Sequence, residues 1–280
     1  MIKMGKHPIL FPSCFSIAIA LSASPCFALE TKPWLGNIYE FEFLSAITYS
    51  RYNKVEGARV QLKSPSNDMD YLFDLSFTPL AQLDVQAELE LANTPRQSFG
   101  VRSGALQARY QWFDDIAGDP VSFTTGVNVR GVTHKGLKDV SCPYASYANF
   151  ELTFALGKEW SEEGMWTMRT YGFAAVGIAN QGYPWTQELF VFQRNWNDVH
   201  RLTLFAEGLF GFGNKQHVNV RHFKGWGKVQ HQSIDLGIAY GHTLGVYGII
   251  SIGYAHRVFA HNFPEHVNFV TLCYQVPFSF

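Results

Sequence analysis

The clearest signal in the chain is alternation. Leu83, Val85, Ala87, Leu89 and Leu91 take every second position, and Asp84, Gln86, Glu88 and Glu90 fall between them. On a helix these polar residues would scatter around the axis. On a strand they form one polar stripe facing away from one apolar stripe. Tyr71, Phe73, Leu75 and Phe77 alternate in the same way with Asp74, Ser76 and Thr78, and only residues 79–82 separate the two runs. That spacing predicts a hairpin. Similar runs surround Leu106 to Trp112, Val121 to Arg130, Asn149 to Leu156, Leu202 to Phe210 and Ser233 to Tyr240. Segments 165–179, 185–196 and 246–256 are also strand-like, but their facing is ambiguous. Phe190 and Phe192, for example, share a face with Glu188 and Arg194.

Counting from Ile38, the pattern predicts twelve strands: 38–50, 71–78, 83–91, 104–112, 121–131, 147–160, 165–179, 185–196, 201–212, 228–242, 246–256 and 267–280. Long polar links mostly follow odd-numbered strands, and short turns mostly follow even-numbered ones. Segment 113–120 is long for a turn, and 180–184 is short for a link. Each strand is near the roughly 9–11 residues that cross a bilayer at a tilt. The fold class expected is all-β, a closed antiparallel transmembrane β-barrel of about twelve strands. The competing reading is a soluble sandwich or lipocalin-like barrel. It would have to bury the charged stripe or expose the aromatic one, and unpaired buried charge is costly. In a membrane barrel both stripes are satisfied, and closure removes the unpaired edges that lipid would not tolerate.

Composition sharpens this. Of 280 residues 16% are charged, below the roughly 25% of soluble domains. Another 16% are aromatic, with 24 Phe and 13 Tyr. The mean hydropathy is -0.06, and past residue 28 no apolar run approaches the roughly 20 residues of a spanning helix. The net charge of -1 gives no basic excess, so no nucleic-acid partner is expected. The N-terminus carries Lys3 and Lys6, a mostly apolar stretch from Ile9 to Ala23, and Cys26-Phe27-Ala28. This predicts a cleavable signal peptide over 1–28, followed by one barrel domain over 29–280. The other reading, a membrane anchor, is opposed by Pro8, Pro12 and Pro25. Cys142 and Cys273 remain after cleavage; two free thiols are expected rather than a disulfide.

The last strand places Val270, Leu272, Tyr274, Val276, Phe278 and Phe280 on one face. This resembles the C-terminal signature of bacterial outer-membrane β-barrel proteins, a terminal Phe preceded by apolar or aromatic residues at alternate positions. The resemblance covers about eleven residues, and Pro277 departs from an ideal strand. It implies a Gram-negative outer membrane, contact with lipid and lipopolysaccharide, and reading of Tyr274, Phe278 and Phe280 by the barrel-assembly machinery. It does not fix a function.

The polar stripes supply candidate lumen-lining residues: Glu88, Glu90, Arg109, Arg130, Glu151, Glu207 and Asp235, with Arg169 and Arg194 as further candidates. They could set a transverse field for small polar solutes, or pair across strands and close the pore. A twelve-stranded lumen lies between filled and open barrels. Seven histidines fall at or beyond the longer links. His217 and His222, with His261 and His266, are candidate metal ligands at no recognised spacing. Segment 213–231 carries Lys215, Arg221, Lys224 and Lys228 with Phe223 and Trp226, a candidate lipopolysaccharide contact. No Gly-x-Ser-x-Gly, His-Glu-x-x-His or phosphate-loop motif occurs, and no catalytic residue, metal or cofactor is expected. The leading expectation is a porin-like channel for small polar solutes or ions. The alternatives are a rim enzyme acting on lipid or peptide, for which His134 and Asp139 are candidates, and a surface-binding or structural barrel.

Overall fold

The structure, a computed structural model, describes residues 31–279. The expected signal peptide and Phe280 lie outside the described residues. Twelve strands follow one another around a closed antiparallel barrel: β1 (Phe41–Tyr52), β2 (Ser66–Leu80), β3 (Leu83–Asn93), β4 (Gly100–Phe113), β5 (Ser122–Val132), β6 (Ala148–Glu162), β7 (Met165–Ala179), β8 (Trp185–Trp196), β9 (His200–Gly211), β10 (Gln232–Thr243), β11 (Ile249–His261) and β12 (Asn268–Phe278). Each strand pairs with its sequence neighbours, and β1 closes on β12 with Phe41 opposite Phe278 and Tyr49 opposite Val270. The expected fold class is thus the observed one.

Short turns gather at one end of the barrel and longer links at the other. The β6–β7 turn is only Glu163–Gly164, both at positive φ (52° and 81°). Two consecutive residues of that kind match the right-handed twist of the flanking strands. Segments 53–65, 133–147 and 212–231 lie at the opposite, loop end. Some strands run further into the loop end than the alternation indicates. β2 begins at Ser66 and β4 at Gly100, where the expectation was 71 and 104, and β11 continues to His261. In the added part of β2 the inward residues are Ser66 and Asp68, while polar Asn67 faces out. The apolar stripe that reveals a strand is missing there, although the backbone ladder continues.

The wall has two unlike faces. Leu89, Leu106, Val127, Leu152, Val176, Leu204, Leu236 and Leu272 point outward and are exposed. Exposed Trp112, Trp160, Trp196 and Tyr240 follow this band towards the turns, and Tyr49, Tyr147, Tyr183 and Phe212 flank it at the loops. An outward apolar band between aromatic girdles is the surface a bilayer demands. On β10 the contrast is direct: Leu236 is 48% exposed and its neighbour Asp235 is 4% exposed. Neighbouring strand residues face opposite ways, so the polar stripe lies inside.

Candidate functional site

The barrel interior is braced by charge pairs. On one side, Arg130 donates to both oxygens of Glu88, with Nη2–Oε2 at 2.8 Å, and to Ser103 Oγ at 2.9 Å. Arg102 lies 2.8 Å from Asp70 and 3.2 Å from Glu90, and Glu90 also accepts from Ser103 and Tyr144. Arg109 meets Asp84 at 3.1 Å. On the other side, Arg257 grips both oxygens of Asp235 at 2.7 Å each. Glu151 accepts from Asn128, and Glu207 from Gln187. Each of these side chains has a hydrogen-bonding or ion-pair partner, as low-dielectric burial requires. Glu88, Glu90, Arg109, Arg130, Glu151, Glu207 and Asp235 all project inward. Arg194 does not: it shares the outward face of β8 with Glu188, Phe190 and Phe192. Arg102 and Asp70 sit in stretches where the sequence pattern shows links rather than strands, so their part in the network is hidden there.

The loop end is roofed. Tyr52, Val55, Val140, Val218, Phe223, Trp226, Val229, Phe263 and Val267 form one buried apolar cluster. Trp226 is fully buried and donates its indole N–H to Cys142 O at 2.8 Å. Gly182 permits a close backbone approach: at φ 118° a Cβ there would stand 2.3 Å from Gly227 O. This revises the candidate lipopolysaccharide contact. Lys215, Arg221, Lys224 and Lys228 are exposed, but Phe223 and Trp226 point down into the roof. Burial pushes the Cys142 thiol up to about 12 and the Tyr144 phenol well above its usual range. Cys142 and Cys273 are both free thiols.

His134 stacks on Tyr147, with Nδ1 2.6 Å from its hydroxyl. Asp139 is fully buried and accepts from Thr94, while Arg96 and Arg102 lie within 3.8 Å. The two candidates for rim catalysis therefore serve different partners. Among the described residues no group of three or more His, Cys, Asp or Glu side chains is placed to hold a metal ion.

The feature least visible in the sequence is the segment before β1. Residues 31–37 turn back into the barrel. Pro33 O accepts from Thr124 Oγ1 at 2.6 Å and Gln111 Nε2 at 3.3 Å, and Lys32 O accepts from Arg109 at 2.8 Å. Trp34 is 6% exposed and packs among Tyr171, Leu189, Val191, Phe205 and Ala255. Its indole N–H donates to Asp115 at 2.8 Å. Burial alone would raise the Asp115 carboxyl, but hydrogen bonds from Glu159 N–H, Ser122 and Trp34 bring it below the usual range.

This segment divides the interior. On the loop side is a cavity of about 300 Å³ that meets Thr31 below and Tyr144, Phe263 and Val267 above, with Glu90, Arg130, Glu151, Glu207 and Asp235 on its wall. On the turn side is a second cavity of about 260 Å³, bounded by Lys32, Trp34, Glu40, Glu42, Asp84, Arg109, Arg169 and Arg201. The two share no lining residue. Arg169, a secondary candidate, thus belongs to the turn side.

At the C-terminal strand, Phe278 stacks on Phe41 at 5.5 Å between ring centres, and Phe41 stacks on Phe77 at 4.4 Å. The Tyr274 hydroxyl donates to Tyr247 O at 2.5 Å.

No protein-family model matches the chain, and no curated protein sequence matches it significantly. Solved structures do. An outer membrane channel from Pseudomonas putida F1 has a TM-score of 0.65 at 8% identity, covering 88% of this chain and 97% of that one. The KdgM porin follows at 0.48 and 7% identity, with coverages of 84% and 99%. The translocator domain of the autotransporter NalP from Neisseria meningitidis reaches 0.47 at 9%, with coverages of 87% and 90%. The first similarity extends over nearly the whole barrel, and the chain therefore shares the fold of an outer-membrane β-barrel protein.

Proposed function

We propose that this chain is a porin-like outer-membrane channel for small polar solutes or ions, with its loop end outside the cell and its turn end facing the periplasm. The observation that carries the reading is the pair of cavities with charged side chains on their walls, one above and one below a single segment that belongs to no strand. A barrel that served only as a scaffold could fill its interior with side chains from the wall. Here the wall leaves room, and residues 31–37 fill the waist. Glu88, Glu90, Arg109, Arg130, Glu151, Glu207 and Asp235 are lumen-lining residues in this reading. Their pairing makes them supports of the pore shape first and a field for solutes second. The outward apolar band supports lipid contact, and the exposed lysines of 212–231 support contact with lipopolysaccharide phosphates. Tyr274, Phe278 and Phe280 are the proposed assembly signal.

Liposome swelling tests the channel. Vesicles holding the folded chain are expected to swell in glycine faster than protein-free vesicles and to exclude oligosaccharides. Swelling indistinguishable from protein-free vesicles in every small solute would contradict the reading.

A further inference from the structure

The turn-side cavity contains a charge with no hydrogen bond or ion pair among the described residues. Arg201 is the second residue of β9 and points inward, where it lines the cavity. Among the described residues its guanidinium makes no hydrogen bond and no ion pair, and its Nε is buried. The other arginines here are committed. Arg109 pairs with Asp84, and Arg169 lies within 2.6 Å of Glu159. The carboxylates facing the same cavity are engaged as well: Glu40 accepts from Asn37 at 2.6 Å and Glu42 from Gln275 at 2.5 Å.

The surroundings hold Arg201 by a ring contact and by the charges of Glu42 and Asp198 beyond ion-pair distance. Its Cζ lies 4.8 Å from the centre of the Trp166 ring, and Arg169 lies over the same ring at 4.3 Å. Arg169 in turn contacts Trp34 at 4.9 Å. Two like charges thus share one indole, an arrangement that favours cations through the ring face; Arg169 is paired with Glu159, whereas Arg201 has no carboxylate within ion-pair distance among the described residues. A guanidinium with its fork free offers two parallel N–H donors, which match the two oxygens of a carboxylate or phosphate.

We propose that Arg201, with Arg169 beside it, forms a binding site for a small oxyanion in the turn-side cavity. The group bound is a carboxylate or phosphate, seated where Arg201 and Arg169 line the cavity. The site stands independently of whether the barrel conducts. It would give the lumen a preference for anionic solutes at the periplasmic end.

Titration calorimetry on the detergent-folded full chain, with inorganic phosphate as the probe at constant ionic strength, tests this directly. Wild type is expected to show saturable binding. Arg201→Gln should weaken it at least tenfold, and Arg201→Lys, which keeps the charge but loses the fork, should recover only part of it. Heat-modifiable electrophoretic mobility confirms that each variant is folded. No saturable heat with wild type, or equal affinity in folded Arg201→Gln, would overturn the site. A chain that binds phosphate but fails to swell vesicles would keep the site and remove the channel reading.

Discussion

Side chains two atoms of backbone apart live in different solvents in this barrel. Leu236 faces out and Asp235 faces in, gripped by Arg257. Alternation alone separates the two, so this level of the structure is plain in the sequence. What alternation leaves out is the partner: Arg257 falls just past the expected strand 246–256, in a stretch read as a link, whereas β11 continues to His261. Leu236→Arg places a charge in the apolar band, and near the bilayer midplane this costs about 2–4 kcal/mol. Denaturant titration of the variant folded into lipid vesicles measures it, and an unchanged midpoint would contradict the outward facing. His231 is a second residue whose surroundings decide its chemistry. It lies beneath the roof between Trp226 and Phe263, and burial pulls its imidazole down to about 4, helped by the nearby Arg257 charge. The folded state therefore keeps His231 neutral while the unfolded chain takes up a proton as pH falls below about 6.5. Stability present above that pH is lost progressively down to about 4. His231→Phe is expected to make the fall in thermal midpoint across that window shallower. An identical pH profile would show that His231 is not buried in the folded state.

At the scale of elements, the strands that resist reading are informative. On β8, Leu189 and Val191 face in while Phe190 and Phe192 face out. Both faces are apolar, so no polar stripe marks the inside. The reason is Trp34: the inward residues of β7, β8 and β9 pack against it rather than against water. The ambiguous facing of 185–196 was thus a trace of the N-terminal segment, though the sequence offers no way to tell what covers the inner face. The segment itself has no period to detect. Thr31-Lys32-Pro33-Trp34 is held by backbone carbonyls, which carry no sequence signature. The roof was hidden for a related reason. Its core residues are scattered over several links, where apolar positions follow no repeat. The last strand raises a separate point. Its outward apolar stripe continues in sequence to Phe280, and removing that residue is expected to lower the yield of inserted barrel, read from outer-membrane fractions. Unchanged yield would leave Tyr274 and Phe278 as wall residues only.

For the whole molecule, twelve strands set a waist narrow enough for one extended segment to fill. Barrel closure, strand number and the two faces of the wall follow from the period of two and the lengths of the links. Whether the axis is open does not, because that depends on where a non-periodic segment lies. In the proposed channel, residues 31–37 interrupt a lumen lined by charged side chains. Single-channel recording in planar bilayers tests it most directly, comparing the full chain with a variant lacking residues 31–37. With residues 31–37 in the lumen, the full chain is expected to show small or infrequent openings, and the variant a severalfold larger, steady conductance. Equal conductance in the two, with both barrels folded, would contradict it.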